Sequence, residues 1–227
     1  MALPRPRIIS GDAFDPATIA ALANQSYDVV ITNPPYVRYQ SRGNGAAEDK
    51  SRAGLLAIIS EALSGTDKNI WITLAEGYSG LADLSVPAWL LSALMVRPGG
   101  RIALVVPATW RSRDYADVIR YLLLRCFSLE YVVEDQQPGW FSDALVRTHL
   151  IVARRLESDE VAKPLAARLA WPTALWLQVA PEAADSRSLV GAAFSEIDPE
   201  AQFGAWLRDG CPVEKKGPKR ATLRPSR

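Results

Sequence analysis

The chain has 227 residues, 48% of them hydrophobic, and a net charge of +1, enough for one principal domain with a core of its own plus a short appendage. Its two cysteines, Cys126 and Cys211, stand far apart with no Cys-x-x-Cys spacing; they support neither a disulfide framework nor a zinc site, and a reducing, cytoplasmic setting is expected. No charged N-terminal segment leads into an apolar run, and no stretch approaches the roughly 18 apolar residues of a membrane span.

The charge is unevenly placed. Val213 to Arg227 holds six basic residues (Lys215, Lys216, Lys219, Arg220, Arg224, Arg227) and one acid, Glu214, for +5, so the rest of the chain carries −4. Residues 213–227 are expected to be a solvated basic tail. Any affinity for phosphate must come from that tail or from local patches, because the remainder has no positive field.

In chain order, a first strand is expected around Arg7–Ser10, broken at Gly11-Asp12, after which Pro16 opens a helix to about Asn24. Tyr27–Thr32 is a short β-branched run ending at Asn33-Pro34-Pro35, read as a buried strand that delivers a loop at its carboxyl end. Val37–Lys50, polar and glycine-containing, reads as a loop. Helices follow at about Arg52–Leu63 and Asp83–Met95, the second stopped by Arg97-Pro98-Gly99-Gly100. Arg101–Val106 is a buried strand ending at Pro107; Asp114–Arg125 is a helix, and Leu129–Glu134 and Thr148–Arg154 are strands. This alternation predicts the α/β class, a doubly wound and mostly parallel sheet with helices on both faces. Ligands of such sheets sit beyond the carboxyl ends of the strands, where Asp12, Asn33 and Pro107 would lie. Past Ser158 the periodicity fades, dividing the chain into a main domain at 1–156, an appendage at 157–212 and the tail.

The most specific signal is Asn33-Pro34-Pro35-Tyr36, expected by chance in roughly one chain of this length in a thousand. An exocyclic amine on an aromatic ring is a poor nucleophile, because its lone pair is delocalised into the ring. Acceptors on both amine hydrogens favour the tetrahedral geometry it needs to attack. Asn33 offers a side-chain carbonyl and Pro34 a backbone carbonyl, while two prolines fix φ and remove competing N–H donors. Tyr36 adds a face on which a planar base can stack, worth about 1–3 kcal/mol in single-strand binders. The plain alternative is a rigid strand-terminating turn.

Together with Gly11-Asp12-Ala13-Phe14 and Pro98-Gly-Gly-Arg-Ile-Ala-Leu-Val-Val-Pro-Ala-Thr-Trp110, this motif resembles the N6-adenine-specific DNA methyltransferases of restriction-modification systems, in the motif order of the type IIG-like enzymes, over about Ile8–Arg155. The resemblance implies S-adenosylmethionine as methyl donor, no metal, and double-stranded DNA with the target adenine flipped from the stack, since a paired base cannot present N6. It implies that Asp12 accepts from the cofactor's adenine amine with Phe14 packed nearby and Asn33 also facing the cofactor. Asn33, Pro34, Pro35 and Tyr36 would form the catalytic loop, and Phe141, in Trp140-Phe141-Ser-Asp-Ala-Leu, would stack the base opposite Tyr36. Residues 157–212 would begin a target-recognition region. Asp83 aligns loosely with a cleft position, though acids at helix starts also serve the dipole. Arg38, Arg42, Lys50, Arg52, Arg111 and Arg113 flank the active face and could reach phosphates; for each, plain solvation is the alternative. His149, within a strand, reads as a packed structural histidine.

The resemblance also calls for a strand and a glycine-rich turn ahead of Gly11 to cradle the methionine part of the cofactor. Only ten residues precede Gly11, and neither Gly43-Asn44-Gly45 nor Gly99-Gly100 sits between a strand and a helix in the required way. An N-terminally truncated domain lacking its first strands is therefore expected, with a separate chain or segment supplying the cofactor loop. Two other readings stand beside this one: methylation of another planar amine or amide (guanine N2 of ribosomal RNA, or glutamine in a protein), and a non-catalytic DNA-binding or assembly remnant.

Overall fold

In a computed structural model of the chain, residues 8–23, 27–36, 45–78, 84–135, 147–163, 174–179 and 223–225 are described. They form helix α1 (Pro16–Ala23), strand β1 (Tyr27–Thr32), helices α2 (Gly45–Ala62), α3 (Gly65–Gly77) and α4 (Ser85–Leu94), and strand β2 (Val96–Pro107). Two 3₁₀ turns, Ala108–Arg111 and Asp114–Ala116, lead into α5 (Asp117–Cys126), β3 (Phe127–Asp135), β4 (Thr148–Arg155), α6 (Ser158–Ala162), β5 (Leu175–Val179) and β6 (Leu223–Pro225). The class is α/β, as the alternation of apolar runs predicts.

The six strands form one sheet in the order β1-β2-β4-β3-β5-β6. β1 and β2 pair in parallel, as do β3 and β5, whereas β4 lies antiparallel between β2 and β3, and β6 antiparallel beside β5. Four strands therefore run in one sense and bring Thr32, Pro107, Asp135 and Val179 to the same edge. β5 lies in the expected appendage and β6 in the expected tail, so the sheet continues into both.

Alternation on β2 divides the faces. Ile102, Leu104 and Val106 are fully buried, and with Ile151 and Ala153 of β4 they meet Leu55, Ile59, Leu90 and Leu122 of the helices in one core. Helix α5 shows the matching period: Ile119, Leu122, Leu123 and Cys126 are buried, while Tyr121 and Leu124 face out.

Several expectations need correction. Ile8–Ser10 form no strand, and Ile8 is 87% exposed; among the described residues no neighbouring strand offers them a ladder. Gly45–Lys50, read as loop, is the first turn and a half of α2, where tertiary packing of the later turns carries a polar start. Helix α3 is not among the expected elements: Ile70, Ile72 and Thr73 are β-branched and weaken the helical signal, yet Trp71, Leu74 and Ala75 share its buried face. β1 has the expected bounds but is not buried, since Val29 is 54% and Ile31 77% exposed. The stretch from Asp114 to Arg125 begins as a 3₁₀ turn. Asp83 lies outside the described residues.

Pro98-Gly99-Gly100 does not merely stop a helix; it is a bulge inside β2. Tyr27 is opposite Val96 but Val29 is opposite Arg101, so the extra residues loop out where Gly99 takes φ 74°. A Cβ on Gly100 would lie 2.9 Å from the carbonyl oxygens of Tyr27 and Asp28, so the close approach of β2 to β1 requires glycine there. Arg97 clamps the bulge with a 2.6 Å contact from Nε to the Asp28 carboxylate.

At the same end of the sheet the Arg155 guanidinium donates to the carbonyls of Leu94 (3.2 Å) and Val96 (2.5 Å) and lies 5.6 Å from the centre of the Trp71 ring. Burial holds its pKa below the usual guanidinium value, and the carbonyls of Leu94, at the end of α4, and Val96, at the start of β2, compensate the charge. Arg155→Met should keep the volume but leave these carbonyls unsatisfied, lowering stability by about 1–3 kcal/mol in chemical denaturation; an unchanged midpoint would show that water replaces the guanidinium.

Candidate active site at the carboxyl edge of the sheet

The parallel register Val30↔Ile102, Ile31↔Ala103, Thr32↔Leu104 carries the chain out of β1 beside the last residues of β2. Asn33 and Pro35 are exposed, Pro34 is buried and Tyr36 is half-buried. The Tyr36 hydroxyl donates to the backbone carbonyl of Val105 at 2.6 Å, so the turn is fastened to β2 at both ends, by the ladder before Asn33 and by this bond after Pro35. The prolines add fixed φ values in between. The result is a short, stiff segment with an exposed amide side chain, at the edge where open α/β sheets bind ligands.

The Gly11–Phe14 turn is held differently. Asp12 accepts from the Phe14 backbone N–H at 3.0 Å and from Lys50 Nζ at 3.1 Å, and these two partners, the backbone N–H first, hold its carboxyl below the usual carboxylate range. Helix α2 approaches so closely that a Cβ on Gly54 would lie 1.9 Å from the Phe14 carbonyl oxygen. Asp12 and Phe14 are thus tied to α2, and Asn33–Tyr36 to β2. Lys50, weighed as a phosphate contact, is Asp12's ion-pair partner. Arg52 donates to the Tyr78 carbonyl at 3.0 Å and covers the Tyr78 ring, a structural contact within the helical layer. Gly54 carried no signal in the sequence, because the need for glycine arises only when α2 meets the turn.

The loop after β2 is fixed by a polar chain that is buried at Trp110 and His149 and part-buried at Glu134 and Gln178. Trp110 Nε1 donates to His149 Nδ1 at 3.0 Å, which makes Nε2 the protonated nitrogen of the neutral ring, facing a Glu134 carboxylate oxygen at 3.4 Å. Gln178 donates to the other Glu134 oxygen at 2.7 Å. Three strands, β3, β4 and β5, thus hold one turn. Trp110 also packs edge-on against Trp89, and Trp176 edge-on against His149, with the Arg111 guanidinium 4.5 Å from the Trp176 ring centre. His149 is the packed histidine expected, though Trp110, Glu134 and Trp176 could not be read as its partners from the sequence. Burial lowers its pKa, opposed by Glu134 and aided by Arg111. Phe141, Arg38 and Arg42 lie outside the described residues, and Arg113 is exposed.

Residues 10–140 match the family of Eco57I restriction-modification methylases. No curated protein matches the chain. Among solved structures, the type IIG restriction endonuclease BpuSI is similar at 17% identity and a TM-score of 0.50, over 95% of this chain and 20% of that one. A chain of a type I restriction-modification system is similar at 19% identity and TM-score 0.43, over 97% and 38%. A class I S-adenosylmethionine-dependent methyltransferase from Listeria monocytogenes is similar at 14% identity and TM-score 0.44, over 83% and 44%. The chain therefore spans less than half the length of each, and the BpuSI likeness agrees with the α/β fold described above.

Two outcomes follow from this geometry. Gly54→Ala should displace the Asp12–Phe14 turn and lower stability by about 1–3 kcal/mol, measured by thermal or chemical denaturation; an unperturbed variant would mean that the turn yields freely. For His149, the unfolded ring takes a proton below its ordinary value of 6.5, while the folded ring resists until a lower pH. The stability this represents is present above 6.5 and is lost as pH falls through the depressed folded value. Melting temperature should decline across that window in the wild type and decline less in His149→Gln; parallel curves would contradict it.

Proposed function

The chain belongs to the Eco57I restriction-modification methylase family, and from that premise we propose that it is the catalytic part of a methyltransferase carrying a methyl group from S-adenosylmethionine to the N6 amine of adenine in DNA. The observation that carries the reading is the exposed Asn33 amide on a turn stiffened by Pro34, Pro35 and the Tyr36–Val105 bond.

In this reading Asn33 Oδ1 and the Pro34 carbonyl accept the two amine hydrogens and draw the nitrogen lone pair out of conjugation. The flipped base stacks on Tyr36, with Phe141 as the second face; extrusion costs a few kcal/mol, offset by stacking and hydrogen bonding in the pocket. Bound S-adenosylmethionine would supply an electrophilic methyl group on sulfonium for direct displacement by the amine nitrogen, the thioether being the leaving group, and the surplus proton on nitrogen would leave to water with no covalent enzyme intermediate. Asp12 would accept from the cofactor's adenine amine with Phe14 beside it. Both Asp12 oxygens already have one donor, and each has a further lone pair to offer.

These residues fit the adenine end of the cofactor, but among the described residues no glycine-rich turn between strand and helix meets the methionine end. The open edge of β1 suggests where that part belongs. Among the described residues β1 pairs only with β2, and Val29 and Ile31 are exposed on a strand whose composition suits burial. We infer that a further polypeptide segment or partner chain pairs with this edge and brings the cofactor loop, with DNA bound to the completed assembly in a cytoplasmic setting.

Asn33→Ala should lower methyl transfer by about 10²–10³-fold, in line with loss of one preorganised polar contact to a developing charge. Tyr36→Phe, which keeps the stacking face but loses the bond to Val105, should lose only about 2–10-fold. Steady-state rates with isotopically labelled donor and duplex DNA decide this; equal rates for Asn33→Ala and wild type would remove the reading. Isothermal titration should show weak binding of S-adenosylmethionine to the chain alone and tighter binding once a polypeptide bearing a strand and glycine-rich turn is added. Micromolar binding by the chain alone would contradict the need for a completing segment.

A further inference from the structure

Helices α3 and α5 diverge to leave a groove of about 580 Å³. Ile70 and Leu74 of α3 and Val118 and Tyr121 of α5 line it, and beside it Tyr121 and Leu124 are 52% and 59% exposed. A groove and an apolar ridge on one face, formed partly by the same helix, suit an isologous contact, in which one patch serves both partners. Adjacent exposed apolar side chains of this kind are the usual mark of an interaction surface.

The order of residues along α5 makes the symmetry specific. Asp117 and Arg125 are equally far from Tyr121 in sequence, as are Val118 and Leu124. Asp117 is ion-paired with Arg120 of its own helix, but its side chain is 72% exposed. If two α5 helices run antiparallel across a two-fold axis at Tyr121, each Asp117 carboxylate therefore also meets the other copy's Arg125. Each Leu124 meets the other copy's Val118, which lines the groove, and the two Tyr121 rings meet on the axis. Charge and shape are both complementary under this one operation. A parallel pairing would set Asp117 against Asp117 and Arg125 against Arg125.

We propose that the α3–α5 face is a self-association surface whose occupant is a second copy of this chain, related by a two-fold axis through Tyr121. The contact is independent of the open edge of β1 and of the residues placed in the catalytic turn.

The test is the solution mass of the full chain by sedimentation or light scattering, with variants on this face. The wild type should show twice the 24.8 kDa monomer mass, and Leu124→Glu, a change at an exposed position, should return it to monomer. Asp117→Arg, which also removes the ion pair with Arg120, should weaken the dimer at least tenfold, and adding Arg125→Asp should strengthen it relative to that single variant, a recovery that general destabilisation cannot produce. In a Cys211→Ser background, Tyr121→Cys should form a disulfide-linked dimer under mild oxidation. A monomer at concentrations up to ~100 μM, where even a weak dimer would be populated, would overturn the proposal. So would a dimer that survives Leu124→Glu and leaves Tyr121→Cys uncrosslinked, which would place the contact elsewhere, for instance at the β1 edge.

Discussion

The parallel ladder between β1 and β2 is the constraint on which the rest of the molecule depends. It sets Thr32 beside Leu104, so that the chain leaves β1 with Asn33 at the carboxyl edge and Tyr36 within reach of the Val105 carbonyl. The ladder exists only because Gly99 adopts a positive φ and Gly100 has no side chain to strike the Tyr27 and Asp28 carbonyls. The glycine pair that looks like a helix stop in the sequence is therefore a register device for the candidate catalytic turn. Backbone geometry set at one end of β2 is felt at the other, because a one-residue slip would reverse every side chain along it.

The second organising feature is polar and centred on the buried Trp110–His149 pair. Trp110, His149, Glu134 and Gln178 form one chain of contacts across β4, β3 and β5, and it pins the turn that follows β2. Such a chain works only with histidine neutral, because Nδ1 must accept from an indole that can only donate. Burial supplies that condition by depressing the ring's pKa. The two turns at the carboxyl edge are thus held by different chemistry: Asn33–Tyr36 by proline stiffness and one short hydrogen bond, Ala108–Arg111 by a buried relay. Arg155 does the equivalent work at the far end, where its charge meets the open carbonyls after α4.

Much of this was legible in the sequence wherever a local signal had a local cause. The run Tyr27–Thr32 gave the bounds of β1, and Arg101–Val106 the heart of β2, because β-branched residues and flanking turn residues agree there. The exposure of β1 was not legible, since a strand built for burial reads the same whether or not a neighbour covers it. Helix α3 was obscured by β-branched residues that its packing overrides. The bulge at Gly99-Gly100 and the intolerance at Gly54 depend on what another element does in space, and a single chain carries no sign of that. In the candidate site, Asn33–Tyr36 stood out by its residue order after a strand, and Asp12 by position ahead of it. Lys50 as the partner of Asp12, and Trp110 and Glu134 as the partners of His149, became visible only with the fold.

The central claim concerns the atom that receives the methyl group. Duplex DNA incubated with the chain, a polypeptide that completes the β1 edge, and labelled S-adenosylmethionine should be digested to nucleosides and separated by mass spectrometry. The account predicts label in N6-methyladenosine and none when Asn33→Ala replaces the wild type. Label on another base position, or on protein or ribosomal RNA offered in parallel while DNA stays unmodified, would contradict it.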